Sequence, residues 1–142
     1  AEHYVIADDS GIEVDSLNGA PGIYSARYSG AGATDKKNNE LLLKNLADKT
    51  DRTARFVSAI ALAKNGEIIE VFRGECEGTV GVEERGENGF GYDPLFILPE
   101  GLTINGRDVG GLSMAELSPV EKNSVSHRRR AAEKLFNYLN TL

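Results

Sequence analysis

Two strand-like runs flank the dipeptide Asn65-Gly66. Arg55 to Ala63 alternates Phe56, Ser58, Ile60 and Leu62 against Val57, Ala59 and Ala61, and Glu67-Ile68-Ile69-Glu70-Val71-Phe72 follows the dipeptide directly. Asn and Gly both tolerate positive φ, which a two-residue turn between antiparallel strands demands. A β-hairpin is therefore predicted at mid-chain, and the rest of the chain has to pack on it.

Other elements can be placed around that hairpin. Tyr4-Val5-Ile6-Ala7 reads as a short buried strand that ends on Asp8-Asp9-Ser10-Gly11 and so delivers polar groups to a sheet edge. Asn18-Gly19 and Pro21-Gly22 mark turns. From Thr34 the apolar period becomes helical: Thr34 or Asp35 can cap, and Leu41, Leu42 and Leu46 face away from Lys36, Lys37 and Lys44. Gly86 to Pro94 holds three glycines and a proline and reads as a loop. Ser113 with Glu116, and Ser118-Pro119 with Glu121, fit capping boxes. Leu135, Phe136 and Leu139 supply the apolar stripe of a last helix. Strands and helices mix without a linker or repeat, which predicts one α/β domain over 1–142.

Composition narrows the partners. A net charge of −6 disfavours wrapping nucleic acid, which needs many phosphate-neutralising cations. Cys76 is the one cysteine, so no intrachain disulfide can form and a reducing, cytoplasmic compartment is expected. The longest apolar stretch, Phe56 to Ala63, is far shorter than the roughly 20 residues of a membrane-spanning helix, so no membrane partner is expected. The first residue is Ala1, and the chain reads as a fragment or a processed form.

Three stretches carry candidate chemistry. Asp8 and Asp9 stand where a hard cation or a general base can sit, or else they are a solvated turn; opposite-facing strand side chains allow at most one of them into a given pocket. In Gly89-Phe90-Gly91-Tyr92-Asp93, glycines let backbone approach a ligand while a ring stacks on a base, or else the rings cover the core. Lys122, Ser126, His127, Arg128, Arg129 and Arg130 form the one basic concentration, near helix starts that favour anions. From the residues alone this cluster points to phosphate, with Arg129 and Arg130 read as a solvated face.

Taken together, ADDSGIEVDSLNGAPGIYSARYSG from Ala7, GFGYDPLF from Gly89 and MAELSPVEKNSVSHRRRA from Met114 resemble the inosine triphosphatase family of noncanonical purine nucleoside triphosphate pyrophosphatases. The resemblance implies an elongated two-lobed α/β fold, a mixed twisted sheet flanked by helices, acting as a homodimer. It implies hydrolysis of the triphosphates of inosine, deoxyinosine or xanthosine to monophosphate and pyrophosphate with Mg²⁺. By position, Asp9 is the implied general base and metal ligand, with Ser10 beside the substrate. Phe90, Gly91, Tyr92 and Asp93 form the aromatic loop, Phe90 stacking on the purine. Lys122, Ser126, His127 and Arg128 are implied to read the base, where the residues alone suggested phosphate.

Two departures from the family pattern stand out. The family carries an amino-terminal segment with a Thr-Asn-Lys phosphate loop and a second metal-binding Glu, and these residues are not in this sequence. Weak or absent hydrolysis is expected of these residues by themselves, and a nucleotide-binding remnant is the alternative. Pro99 to Ser113 is longer than the family's usual link and is expected to be a surface excursion that can rim the pocket.

Overall fold

The computed structural model describes residues 3–142. Four strands, β1 (Tyr4–Val14), β2 (Thr53–Lys64), β3 (Glu67–Val80) and β4 (Phe96–Ile97), form one sheet in that order. All of these pairs are antiparallel. Helix α1 (Asp35–Asn45) follows β1; α2 (Pro119–Ser124) and α3 (His127–Leu139) close the chain. The α/β arrangement of a sheet flanked by helices is the expected one.

The hairpin turns at Asn65 (φ 52°) and Gly66 (φ 86°), with Lys64 opposite Glu67. Its second strand is much longer than the apolar pattern suggested, and its first runs close to the expected bounds. Beyond Phe72, β3 alternates strictly, with Gly74, Cys76, Gly78 and Val80 inward. These inward positions are small because other groups press on them: a Cβ at Gly74 would overlap the α3 backbone, and one at Gly78 would overlap Phe96.

β1 also differs from expectation. It continues straight through Asp8-Asp9-Ser10-Gly11 to Val14, so the two acids lie within the strand. Its buried part is the second half, with Ile12 and Val14 fully enclosed, whereas Tyr4 to Ala7 are exposed. The physical reason is position: β1 is an edge strand, and only its later half is covered. There Ile12 N–H donates to Ser25 Oγ (3.0 Å) and Val14 N–H to the Ala20 carbonyl (3.1 Å), both from the Ala20–Arg27 segment.

One face of the sheet carries the core. Ile12, Phe56, Cys76 and Val80 pack with Leu42 and Leu46 of α1 and with Leu95, Phe96, Met114 and Leu117. Beside them Ile60, Leu62 and Phe72 pack under Ala131 and Leu135 of α3. Phe136, expected on that stripe, is exposed; Ala131 takes the place one turn before Leu135. Thr34 caps α1 by accepting from Lys37 N–H (3.2 Å), and both capping boxes form. The segment expected as a surface excursion folds into a hairpin, β5 (Thr103–Ile104) and β6 (Arg107–Asp108), and buries Ile104 and Val109 in the main core.

Candidate active site

Beside the main core, against Phe56 and Tyr92, lies a cleft of about 450 Å³, within the ~300–1,000 Å³ usual for small-ligand sites. Its floor is Phe56 of β2, on which the His127 ring stacks with centroids 5.2 Å apart. Ser10, Phe90, Gly91, Tyr92, Asp93, Lys122, Ser126, His127 and Arg128 all line it. Three stretches far apart in sequence thus converge on one cavity.

The cations are aimed by specific partners. Lys122 Nζ donates to Asp93 Oδ2 at 2.6 Å and stands 4.4 Å from the Phe90 ring centre. Arg128 Nε donates to Ser10 Oγ at 3.2 Å, with its guanidinium 5.7 Å from the same ring. Asp93, itself buried, also accepts from Phe90 N–H at 3.1 Å. A Cβ at Gly89 would overlap the Asp93 carboxylate, so glycine is what allows the loop this close.

The two aromatics of the loop divide the roles that the residues alone left open. Tyr92 is buried, and its hydroxyl donates to the Ser25 carbonyl at 2.6 Å, so it anchors the loop in the core. Phe90 is 62% exposed and presents a free ring to the cleft. Ser126 caps α3, accepting from Arg129 N–H at 3.2 Å. Burial first, then the charges of Arg128, Lys122 and Arg130, push His127 down to about 4. It therefore meets a ligand at neutral pH as an uncharged imidazole, one nitrogen donating and the other accepting.

Asp9 stands apart from these groups. Alternation along β1 sends it to the opposite face of the sheet from Ser10, into a hollow of about 100 Å³ shared with Glu13, Ile23, Ala59 and Arg73. That hollow meets the main cleft at Ser10 and Gly11, which line both. Among the described residues Asp9 has no hydrogen-bond or ion-pair partner, and no three His, Cys, Asp or Glu gather into a metal cluster. Mg²⁺ is commonly held by one or two carboxylates together with phosphate oxygens and water, a role Asp9 fits. A second, more open groove of about 640 Å³ runs between β3 and α3, but its cations Arg130 and Lys134 are engaged with the Glu75 and Arg73 carbonyls.

Phe56, Asp35 and Asn38 also line the cleft, and Asn39 stands behind it; the sequence reading passed over all four. A usable signal was present: Asn38 and Asn39 lie one turn before Leu42, polar residues on the buried face of an amphipathic helix.

A family model described as the Ham1 family matches residues 1–138. The chain belongs to the Ham1 family. A protein of Exiguobacterium sp. strain AT1b named dITP/XTP pyrophosphatase is 54% identical over 134 residues, covering 94% of this chain and 63% of its own length. One of Listeria innocua with the same name is 51% identical over 133 residues, with 92% and 61% covered. The solved structure of the Staphylococcus aureus Ham1 protein superposes with a TM-score of 0.85 at 45% identity, covering 97% of this chain and 67% of that one. A Coxiella burnetii HAM1 protein gives 0.83 at 40% identity. The chain thus spans about three fifths to two thirds of the length of these relatives.

Among the described residues no helix is long and apolar enough to cross a membrane.

Proposed function

We propose that this chain serves the hydrolysis of noncanonical purine nucleoside triphosphates, of the dITP and XTP kind that name its relatives, to monophosphate and pyrophosphate. The observation that carries the reading is the cleft itself: one exposed aromatic ring flanked by two cations and a neutral imidazole, opening at Ser10-Gly11 onto the hollow of Asp9.

In this reading the purine stacks on Phe90, and Lys122, His127 and Arg128 point donors at the 6-keto oxygen. Adenine carries an amino group there and would leave a donor unpaired, at about 1–3 kcal/mol, which is roughly 5- to 150-fold in affinity. The triphosphate passes Ser10 toward the other face of β1. Asp9, without a partner among the described residues, accepts the proton of the water that attacks the α-phosphorus, and the bond to the bridging oxygen breaks as pyrophosphate leaves. Mg²⁺, when bound by Asp9 and phosphate oxygens, screens the charge of the leaving pyrophosphate. Work as a homodimer, which rests on the family resemblance, and in the cytoplasm, which rests on the lone Cys76, belongs to the same reading.

The test is pyrophosphate release from inosine triphosphate and from adenosine triphosphate with Mg²⁺, on this chain and on Asp9→Asn. Selective release from the inosine nucleotide that falls at least ~100-fold in the variant supports the proposal. Equal release from both nucleotides, or release untouched by the substitution, refutes it. Absence of release with inosine nucleotide still bound indicates a binding remnant instead.

A further inference from the structure

Three polar groups of the aromatic loop backbone are held by side chains, and two of those side chains come from α1. Asp35 Oδ2 accepts from Gly91 N–H at 2.9 Å, and Asn39 Nδ2 donates to the Gly91 carbonyl at 3.0 Å. The third is the Phe90 N–H on Asp93 described above. The Asn39 amide also donates to Glu84 Oε1 at 3.0 Å, tying the strand-side approach of the loop to its tip. α1 is itself fixed where these residues start: Asn38 accepts from Ser29 N–H (2.9 Å) and Ser29 Oγ (2.7 Å) and donates to the Ala26 carbonyl (3.1 Å).

The Phe90 ring needs such support. It is largely exposed, and among the described residues its ring contacts are the cations of Lys122 and Arg128. Its direction is therefore set by its backbone more than by packing. Asn39 shows the same bias from the other side: it is 2% exposed, and among the described residues its Oδ1 is buried without a partner. A buried acceptor without a partner costs stability, and the two bonds that the Asn39 amide donates offset that cost.

We propose that Asp35 and Asn39 are positioning residues that clamp Gly91 by its N–H and its carbonyl and thereby fix the Phe90 ring against the purine. This deepens the function proposed above and rests on it for the identity of the ligand. The two residues act through Phe90 and touch no reacting atom.

A double-mutant cycle separates this role from general support of the fold. Inosine monophosphate is titrated calorimetrically into the chain, Asp35→Ala, Phe90→Ala and the double variant. Asp35→Ala is expected to weaken binding about tenfold when Phe90 is present and less than about twofold when it is absent. Asp35→Asn, which keeps an acceptor oxygen, restores affinity to within about threefold of the parent. An equal loss with and without the ring, or no loss, overturns the proposal. Hydrogen exchange at the Gly91 amide reads the clamp without any ligand: Asp35→Ala and Asn39→Ala are expected to speed it about tenfold or more while β2 and β3 amides stay protected. Unchanged exchange overturns the clamp; faster exchange in a chain that binds no inosine monophosphate sustains the clamp and overturns the purine reading.

Discussion

The two halves of β1 are built differently. From Ser10 to Val14 the strand is paired with β2 on one edge and held by the Ala20–Arg27 segment on the other, and its inward side chains Ile12 and Val14 are sealed. From Tyr4 to Asp9 it is paired with β2 but exposed at every residue. The cleft proposed for the base lies beside the sealed half, with its cations already aimed by Asp93 and Ser10. Asp9 lies on the open half, with no partner among the described residues to aim it. Recognition is preorganised here, whereas the proposed proton acceptor stays free for water and cation.

That contrast can be broken by substitution. Ile12→Ala, in the sealed half, is expected to cost about 2–5 kcal/mol in chemical denaturation, because a fully enclosed side chain leaves a cavity. Next comes Asp93→Ala, which strips Lys122 of its partner and the Phe90 N–H of its acceptor. We expect a loss of about 1–3 kcal/mol and weaker inosine monophosphate binding, read by denaturation and calorimetry on the same samples.

The cleft should also respond to acid in a defined direction. His127 takes up a proton near 6.5 in the unfolded chain but only at about 4 when folded. The unfolded state therefore gains its proton first. The contribution is fully present above pH 6.5 and is lost as the pH falls toward 4. The melting temperature should decline across that window, and His127→Gln should flatten the decline; an unchanged slope in the variant would show that other groups govern it. Smallest of all, Ile6→Ala, on the same face of the same strand as Ile12, should shift stability by no more than about 0.5 kcal/mol. A loss comparable to that of Ile12→Ala would mean the open half is covered in solution.

The contrast also marks what was legible in the sequence. The hairpin at Asn65-Gly66, the Thr34 cap and both capping boxes are local devices, spelled out by residues within a few positions of one another, and all are present. The full reach of β3 was not legible, because Gly74 and Gly78 are inward for the sake of α3 and Phe96, partners distant in sequence. Burial of Tyr4 to Ala7 was misjudged for a related reason: an apolar run shows that a strand can be covered, not that it is. Within the candidate site, the motif residues converge on one cleft, yet the separation of Asp9 from Ser10 by a whole sheet face follows only once the strand is seen to run unbroken through both. Asp35 and Asn39 stayed hidden because their partner Gly91 lies more than fifty residues away.

Recognition of a 6-keto purine by donors built around Phe90 is what we propose for the cleft. Its most direct test is calorimetric titration of this chain with inosine monophosphate and adenosine monophosphate under identical conditions. The inosine nucleotide is expected to bind at least ~5-fold tighter than the adenosine nucleotide, with the difference abolished in Arg128→Ala. Equal affinities, a preference for adenosine monophosphate, or no binding of either would contradict it.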